Sequence, residues 1–169
     1  EIADTGISTG DTAIAEQHRE RGFDVHEIIV PCIPLMSIFD ICADSEIHWL
    51  KIDVEGLEKQ VLSSWGDAVA RPWIVVVEST LPLTQIETHE NWETILVSYG
   101  YIPVYFDGLN RYYVSNAHPE LKNAFIAPPN VFDGFTLNGT ASAPFHKLIE
   151  ARYQTQVSKA LEQVEQIKQ

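Results

Sequence analysis

The sequence is short of basic residues and of cysteine. Its 169 residues include 11 Lys and Arg against 24 Asp and Glu, which gives a formal net charge of −13. A chain of this charge repels a phosphate backbone, and no basic stripe interrupts it, so we expect no nucleic acid partner. Cys32 and Cys42 lie in mainly apolar surroundings without CxxC spacing. This favours reduced core thiols over a disulfide or a zinc site.

Long hydrophobic runs and targeting signals are also missing. No run approaches the roughly 18 apolar residues of a membrane span, and the N-terminus lacks the basic and apolar regions of a signal peptide. We therefore expect a cytoplasmic protein without a membrane span. The sequence begins at Glu1, in the middle of a residue pattern and without an initiating methionine, and its single methionine is Met36. We therefore expect it to be the later part of a longer protein.

Two near-continuous apolar runs, Ile47 to Val54 and Trp73 to Val77, are typical of strands that helices cover on both faces. Residues from Glu55 to Trp65 have helical spacing and supply the crossover between them. The sequence therefore predicts an α/β fold with neighbouring parallel strands.

Other segments predict the remaining elements. A β-rich run from Val25 to Val30 is expected to form a strand, and two aromatic runs joined by residues 107–110 predict an antiparallel hairpin. Helices are predicted at Asp11 to Arg21, Leu35 to Cys42, about His89 to Tyr99, and from about Pro144 onward. The last has an apolar stripe that fits either a coiled coil or a terminal helix that packs on its own domain or leads to another. We divide the chain into a domain of residues 1–140 and a helical segment of residues 141–169.

The carboxylates that follow the first apolar run are the leading candidates for a catalytic site. Asp53 and Glu55 are two residues apart, so on extended backbone they point to the same side, and Gly56 lets a ligand come close. Such a pair can act as a general base or hold Mg²⁺ against a hydroxyl. The alternative is that Asp53 caps the following helix and Glu55 lies in its first turn. Glu58, one turn later, is expected to be an exposed charge.

Further candidates follow the second run and lie in the hairpin turn. Glu78 ends the second strand and completes an acidic cluster, unless Ser79 and Thr80 satisfy it locally. Asp107, Asn110 and Arg111 are candidates for binding a polar substrate. Ordinary turn chemistry also explains Asp107 and Asn110, and an exposed salt bridge is the simpler account of Arg111.

Several motifs together resemble the FkbM family of S-adenosylmethionine-dependent methyltransferases over about residues 5 to 135. They are Val30-Pro31 with Leu35, Leu50-Lys51-Ile52-Asp53-Val54-Glu55-Gly56-Leu57-Glu58, Val61-Leu62, Arg71-Pro72, Val76-Val77-Glu78, Asp107-Gly108-Leu109-Asn110-Arg111-Tyr112-Tyr113 and Pro128-Pro129-Asn130-Val131-Phe132-Asp133. The resemblance implies O-methylation of a sugar or polyketide hydroxyl, with Asp53 at the cofactor, and a partial class I methyltransferase (Rossmann-like) fold that ends in the antiparallel hairpin.

One expected element of that family has no counterpart. The glycine-rich turn and the acidic residue that hold the cofactor's methionine and ribose match nothing here. The resemblance therefore implies that this chain is the C-terminal part of the domain, that residues 1–30 are an insertion, and that the chain alone binds cofactor poorly or not at all.

Two other functions fit parts of the sequence. Asp53-Val54-Glu55 also resembles the metal motif of a nucleotide-sugar glycosyltransferase, and the tail helix fits a noncatalytic interaction module. The expected partners are a small-molecule or glycan acceptor and a neighbouring glycosyltransferase domain reached through the C-terminal helix.

Overall fold

The computed structural model describes residues 8–42, 45–134 and 144–167. The chain divides into two compact units, Glu1–Pro128 and Pro129–Gln169. The predicted domain boundary at residue 140 lies outside the described residues.

A four-stranded sheet forms the centre of the first unit. Its strands are β1 (Trp49–Ile52), β2 (Ile74–Glu78), β3 (Tyr101–Phe106) and β4 (Asn110–Ser115), in the order β1-β2-β4-β3. β1 and β2 are parallel, whereas β4 is antiparallel to both β2 and β3. β4 therefore runs against the other three strands. The predicted α/β class, parallel pair and hairpin are confirmed.

Helices occur where the 3.6-residue periodicity predicts them, apart from their exact ends. They are α1 (Thr12–Glu20), α2 (Leu35–Ile41), α3 (Glu58–Ser63), α4 (Glu93–Ser98) and α5 (Pro144–Ile167), with 3₁₀ helices at His89–Asn91, Pro119–Phe125 and Val131–Asp133. α1 begins at an N-cap, Asp11, whose Oδ1 accepts hydrogen bonds from Ala13 N at 2.8 Å and Ile14 N at 3.1 Å. Gly22, at φ +88°, follows its C-terminus.

The strand predicted at Val25 to Val30 is wrong, because these residues have no regular secondary structure. Ile28, Ile29 and Val30 are exposed. A β-rich composition yields a strand only when a neighbouring strand offers hydrogen bonds and a surface to pack on, and these residues pair with none of the described strands.

The hydrophobic core lies on one face of the sheet. Val75, Val77 and Tyr113 contribute the sheet side, and the helical side includes Leu35, Phe39, Leu62, Trp65 and Leu96. The buried Tyr101 hydroxyl donates to Pro72 O at 2.6 Å, which ties β3 to the segment before β2.

The other face of β1 is open to solvent, so the expectation that helices cover β1 on both faces is wrong. Trp49 and Lys51, which point to this face, are exposed, whereas Ile52, which points to the other face, is buried. The reason is that the core helices pack on the face that carries Ile52. On the opposite face, Phe125 of the 3₁₀ helix Pro119–Phe125 reaches Tyr112 of β4, with ring centroids 5.7 Å apart.

The structure also shows how exposed the two cysteines and the apolar stripe of α5 are. Cys32 and Cys42 are free, as predicted, but Cys32 is exposed and is not part of the core. The stripe on α5 is exposed at Tyr153, Val157, Ala160 and Val164. Among the described residues, no helix combines the length and apolar character needed to cross a membrane.

Candidate functional site

Three carboxylates converge at the carboxyl edge of β1 and β2. One oxygen atom from each of Asp53, Glu55 and Glu78 lies within 4.8 Å of the other two. We call these three residues the acidic cluster. The structure thus brings together the three residues that the sequence predicts at this edge, where ligands of open α/β sheets are bound.

A left-handed turn after β1 determines where the first two carboxylates point. Glu55 has φ +48° and Gly56 has φ +102°, so the chain cannot enter a helix here and α3 begins only at Glu58. The N-cap of α3 is Leu57, and no side chain among the described residues caps the helix. The alternative interpretation of Asp53 as a cap and Glu55 as a first-turn residue is therefore wrong. A non-glycine residue at positive φ costs of order 1–3 kcal/mol and is often found at functional sites.

Gly56 and Glu58 make contacts in this turn that the sequence does not predict. A Cβ atom on Gly56 would lie 2.3 Å from Ile14 Cδ1, so the glycine makes room for α1. Glu58 is buried, and its Oε1 accepts a hydrogen bond from Gly56 N at 3.1 Å. The expectation that Glu58 is an exposed charge is wrong, because its carboxylate satisfies a backbone N–H that the left-handed turn leaves outside the helix.

Lys51 is the functional-site residue that sequence reasoning missed. Its Nζ donates to Asp53 Oδ2 at 2.6 Å and to Asn110 Oδ1 at 3.0 Å. The signal was present in the sequence, since residues 51 and 53 are two apart on a strand and share a face. Lys51 partly neutralises the acidic cluster and connects β1 to the hairpin.

The three carboxyl groups have different proton affinities. Burial raises the pKa of Asp53, yet hydrogen bonds with Lys51 and Glu78 and the Lys51 charge together outweigh it and hold this pKa below its usual value. Burial raises the pKa of Glu55, and the charges of Asp53 and Glu58 raise it further. Burial, a hydrogen bond with Asp53 and the neighbouring carboxylates raise the pKa of Glu78 to about 8. Near neutral pH, Asp53 is therefore an anion and Glu78 retains its proton.

Glu78 is almost completely enclosed, with 8% of its surface exposed. Its Oε2 is buried and accepts no hydrogen bond from any donor among the described residues. Ser79 Oγ instead donates to Leu109 O at 3.0 Å, and Thr80 Oγ1 is itself buried without a partner in the described part of the chain. Local satisfaction of Glu78 by Ser79 and Thr80, the alternative drawn from sequence, is wrong.

The hairpin turn lies at the same edge of the sheet. Asp107 accepts hydrogen bonds from Leu109 N at 2.9 Å, Asn110 N at 2.6 Å and Tyr112 Oη at 2.9 Å. Burial raises the pKa of Asp107, but these hydrogen bonds outweigh it and lower the pKa overall. Turn chemistry thus accounts for Asp107. Asn110 pairs with Glu78 across β2 and β4, which places it beside the cluster.

Arg111 does not join the acidic cluster. It pairs with Val77 in the sheet register, so its side chain lies on the face opposite to that of Asn110. Its guanidinium forms an ion pair with Glu87 and lies 4.9 Å from the centre of the Phe106 ring. The salt-bridge interpretation is confirmed, although the Arg111 side chain is mostly buried, with 19% exposed.

An open depression of about 430 Å³ adjoins the cluster, lined by Glu55, Glu78, Thr80, Leu83, Thr84, Gln85 and Leu109. Three of these residues, Leu83, Thr84 and Gln85, belong to the segment of residues 81–86, for which the sequence predicts no role. Leu81 N donates to Ile86 O at 2.8 Å, and Leu83 has φ +58°. A second depression of similar volume, beside Ile47 and Trp73, lies at the opposite edge of the sheet.

A known protein family matches the part of the chain that contains the acidic cluster. The family model described as the methyltransferase FkbM domain matches residues 3–103, which is more than half of the chain. The protein therefore belongs to the FkbM methyltransferase family, and a methyl donor of the S-adenosylmethionine type follows from that membership. No curated protein and no solved structure gives a significant match.

The extent of the match corrects one expectation. The resemblance in the sequence extends to about residue 135 and implies that the chain is the C-terminal part of the domain. The match instead occupies the N-terminal part of this chain and ends within β3. It includes Asp53, Glu55 and Glu78 but not Asp107, Asn110 and Arg111.

Proposed function

We propose that the protein is an S-adenosylmethionine-dependent O-methyltransferase whose acidic cluster receives the hydroxyl group of a sugar or polyketide acceptor. The observation that carries this proposal is the convergence of Asp53, Glu55 and Glu78 within 4.8 Å at the carboxyl edge of the sheet, next to an open depression. Methyl transfer to a hydroxyl oxygen needs a group that takes the hydroxyl proton, and carboxylates can do so.

The sheet supports a class I methyltransferase fold. In such a fold the second half of the parallel sheet ends in a hairpin whose last strand runs antiparallel and lies between its neighbours. The order β1-β2-β4-β3, with only β4 reversed among the described strands, agrees with that arrangement.

The described residues do not fit the donor's methionine and ribose, because none of the described strands is followed by a glycine-rich turn. Bound donor would supply an electrophilic methyl group. The described residues act on the acceptor, although Asp53 lies where the resemblance also expects a contact to the donor. We therefore assign chemistry only to the acceptor side.

Within the cluster, Glu55 is the strongest candidate for the general base. Its pKa is raised, and its Oε2 is buried with no donor among the described residues. Asp53 is anionic and more exposed, and it is suited to orienting the acceptor hydroxyl. Glu78, which retains its proton, can donate a hydrogen bond to Asp53 or to the acceptor. Asn110 remains the substrate-binding candidate of the hairpin, since Arg111 pairs with Glu87 and Asp107 caps the turn.

Ligand titration of the protein at its full natural length tests the proposal. We expect calorimetric binding of S-adenosylmethionine and S-adenosylhomocysteine, and no heat with nucleotide sugars. Binding of a nucleotide sugar without a response to either methionine derivative would refute the methyltransferase function and support the glycosyltransferase alternative.

Two conservative variants test the assigned roles. Glu55→Gln and Asp53→Asn should each abolish most methyl transfer, while the circular dichroism spectrum stays close to wild type. Donor affinity should also stay close to wild type in Glu55→Gln. Glu46→Gln removes an exposed carboxylate just before β1, at the opposite edge, and serves as the matched control. Near-normal turnover in Glu55→Gln would contradict its role as the base.

A further inference from the structure

Three buried oxygen atoms without hydrogen-bond donors belong to residues that line one depression. Glu55 Oε2, Glu78 Oε2 and Thr80 Oγ1 each lack a partner among the described residues. Glu78 is 8% exposed and Thr80 is 7% exposed, so both side chains are more than nine-tenths buried. A buried carboxylate or hydroxyl oxygen without a partner costs free energy, so an unpaired group of this kind calls for an explanation.

The backbone aims these groups at a common region. Glu78 ends β2, and residue 80 still forms a strand-like bridge with Glu87, so residues 78 and 80 lie on the same side of an extended segment. Glu55 reaches the same region from the left-handed turn after β1, and Asp53 completes it. The four side chains together offer only oxygen atoms, which are the ligands of hard divalent cations. The Glu78 carboxyl releases its proton when the ion binds, as carboxyl ligands of metals do.

The spacing of the carboxylate oxygens fits an ion at their centre. Oxygen ligands on opposite sides of an ion lie roughly 4.2 Å apart around Mg²⁺ and roughly 5 Å apart around Ca²⁺, from their usual bond lengths. The three carboxylate oxygens lie within 4.8 Å of one another. Carboxylate oxygens up to 4.8 Å apart fit around Ca²⁺ as they stand, and around Mg²⁺ after the side chains close by roughly 0.6 Å.

We propose that Asp53, Glu55 and Glu78 form a binding site for one divalent cation of the Mg²⁺, Mn²⁺ and Ca²⁺ class, with Thr80 Oγ1 as a fourth oxygen ligand. The sequence predicts only Asp53 and Glu55 as metal ligands, and the structure adds Glu78 and Thr80. Cation binding does not depend on the proposed methyl transfer. If the proposed function is correct, the ion would also contact the acceptor hydroxyl and make its proton easier to remove.

The ammonium group of Lys51 competes with a cation for this site. It already contacts Asp53 Oδ2 at 2.6 Å, so a cation at the cluster would experience its repulsion. Replacing Lys51 with glutamine removes that charge without touching a proposed ligand. The cation site therefore predicts tighter metal binding in Lys51→Gln, an outcome that a merely structural acidic cluster does not predict.

Mn²⁺ titration followed by electron paramagnetic resonance tests the proposal on the full chain after treatment with a chelator. We expect one saturable site, and competition by Mg²⁺ or Ca²⁺. Asp53→Asn, Glu55→Gln and Glu78→Gln should each weaken Mn²⁺ binding by about tenfold or more, the scale on which changes around metal sites act. Lys51→Gln should strengthen it, and Glu46→Gln should leave it unchanged.

Several outcomes would overturn the cation site. They are binding that does not saturate, wild-type affinity in Asp53→Asn or Glu78→Gln, and unchanged affinity in Lys51→Gln. Asp53 is partly exposed, so Asp53→Asn keeps the test valid even if Glu78→Gln fails to fold. The titration contains neither donor nor acceptor. Methyl transfer that persists in excess chelator would therefore show that the cation takes no part in the reaction, and it would not contradict the proposed function.

Discussion

Gly56 offers a direct test of how the carboxyl edge of the sheet is held in place. In Gly56→Ala, the new Cβ meets two penalties: a backbone at φ +102°, and a contact of 2.3 Å with Ile14 Cδ1. The left-handed backbone costs an alanine about 1–2 kcal/mol. Crowding a packed interior typically costs about 1–3 kcal/mol. The next nearest atoms, Asp11 Cβ at 3.6 Å and Ile14 Cγ1 at 3.7 Å, lie at ordinary distances. The steric part therefore falls at the low end of that range, and we expect Gly56→Ala to lower the free energy of unfolding by about 2–3 kcal/mol.

Gly108 is the matched control for this variant. It has nearly the same backbone angle, φ +100°, and a Cβ there would meet no atom of the described part of the chain within 4 Å. Gly108→Ala should therefore show the backbone cost alone, about 1–2 kcal/mol. The difference between the two variants, measured by urea unfolding, is the cost of the contact with α1.

A double-mutant cycle with Ile14→Val completes the test. Ile14→Val removes the Cδ1 atom and by itself costs about 0.5–1.5 kcal/mol. In the Gly56→Ala background it should cost clearly less, or stabilise the protein, because it relieves the contact. Additive effects of the two substitutions, or equal losses in Gly56→Ala and Gly108→Ala, would refute the packing of α1 against the turn.

Three further predictions concern other parts of the fold. Tyr101→Phe leaves the buried Pro72 carbonyl without its donor at 2.6 Å, so thermal or urea unfolding should show a loss of about 1–2 kcal/mol; no loss would contradict that hydrogen bond. Asp107 has a lowered pKa in the folded state, so its stabilisation is present above the unfolded pKa and disappears as pH falls through the folded value. Asp107→Asn should therefore destabilise the protein at pH 7 and lose that effect in acid, and a cost independent of pH would contradict the assignment. Arg111→Gln should speed amide hydrogen exchange in residues 81–88 as much as Glu87→Gln does, and the double variant should add little. Additive effects would mean that the ion pair does not hold this segment.

The strands, the hairpin and the position of the carboxylates could be predicted from the sequence because they follow from local patterns. Two apolar runs ending in Asp53 and Glu78 identify parallel strands and their carboxyl edge, and Asp-Gly identifies the turn. These signals depend on side-chain periodicity along short segments, which the sequence contains directly.

The missed features depend on contacts between distant segments. The ion pair of Arg111 with Glu87 and the fit of Gly56 against Ile14 join residues far apart in the chain. The burial of Glu58 depends on the left-handed conformation of Glu55, which is unusual for a residue with a side chain. Val25 to Val30 shows the converse error, since β propensity alone cannot supply a neighbouring strand.

Because side chains alternate between the two faces along β4, the length of the hairpin turn determines which side chain faces the carboxylates. Asn110 faces Glu78 because the turn between β3 and β4 holds residues 107–109, and Arg111 consequently faces away. Deleting one residue from this turn while keeping the strands paired would move Arg111 to the position opposite Glu78, and bring a guanidinium in place of an amide next to the carboxylates. The count of turn residues, more than their identity, therefore determines whether the hairpin presents a neutral amide or a positive charge to the acidic cluster.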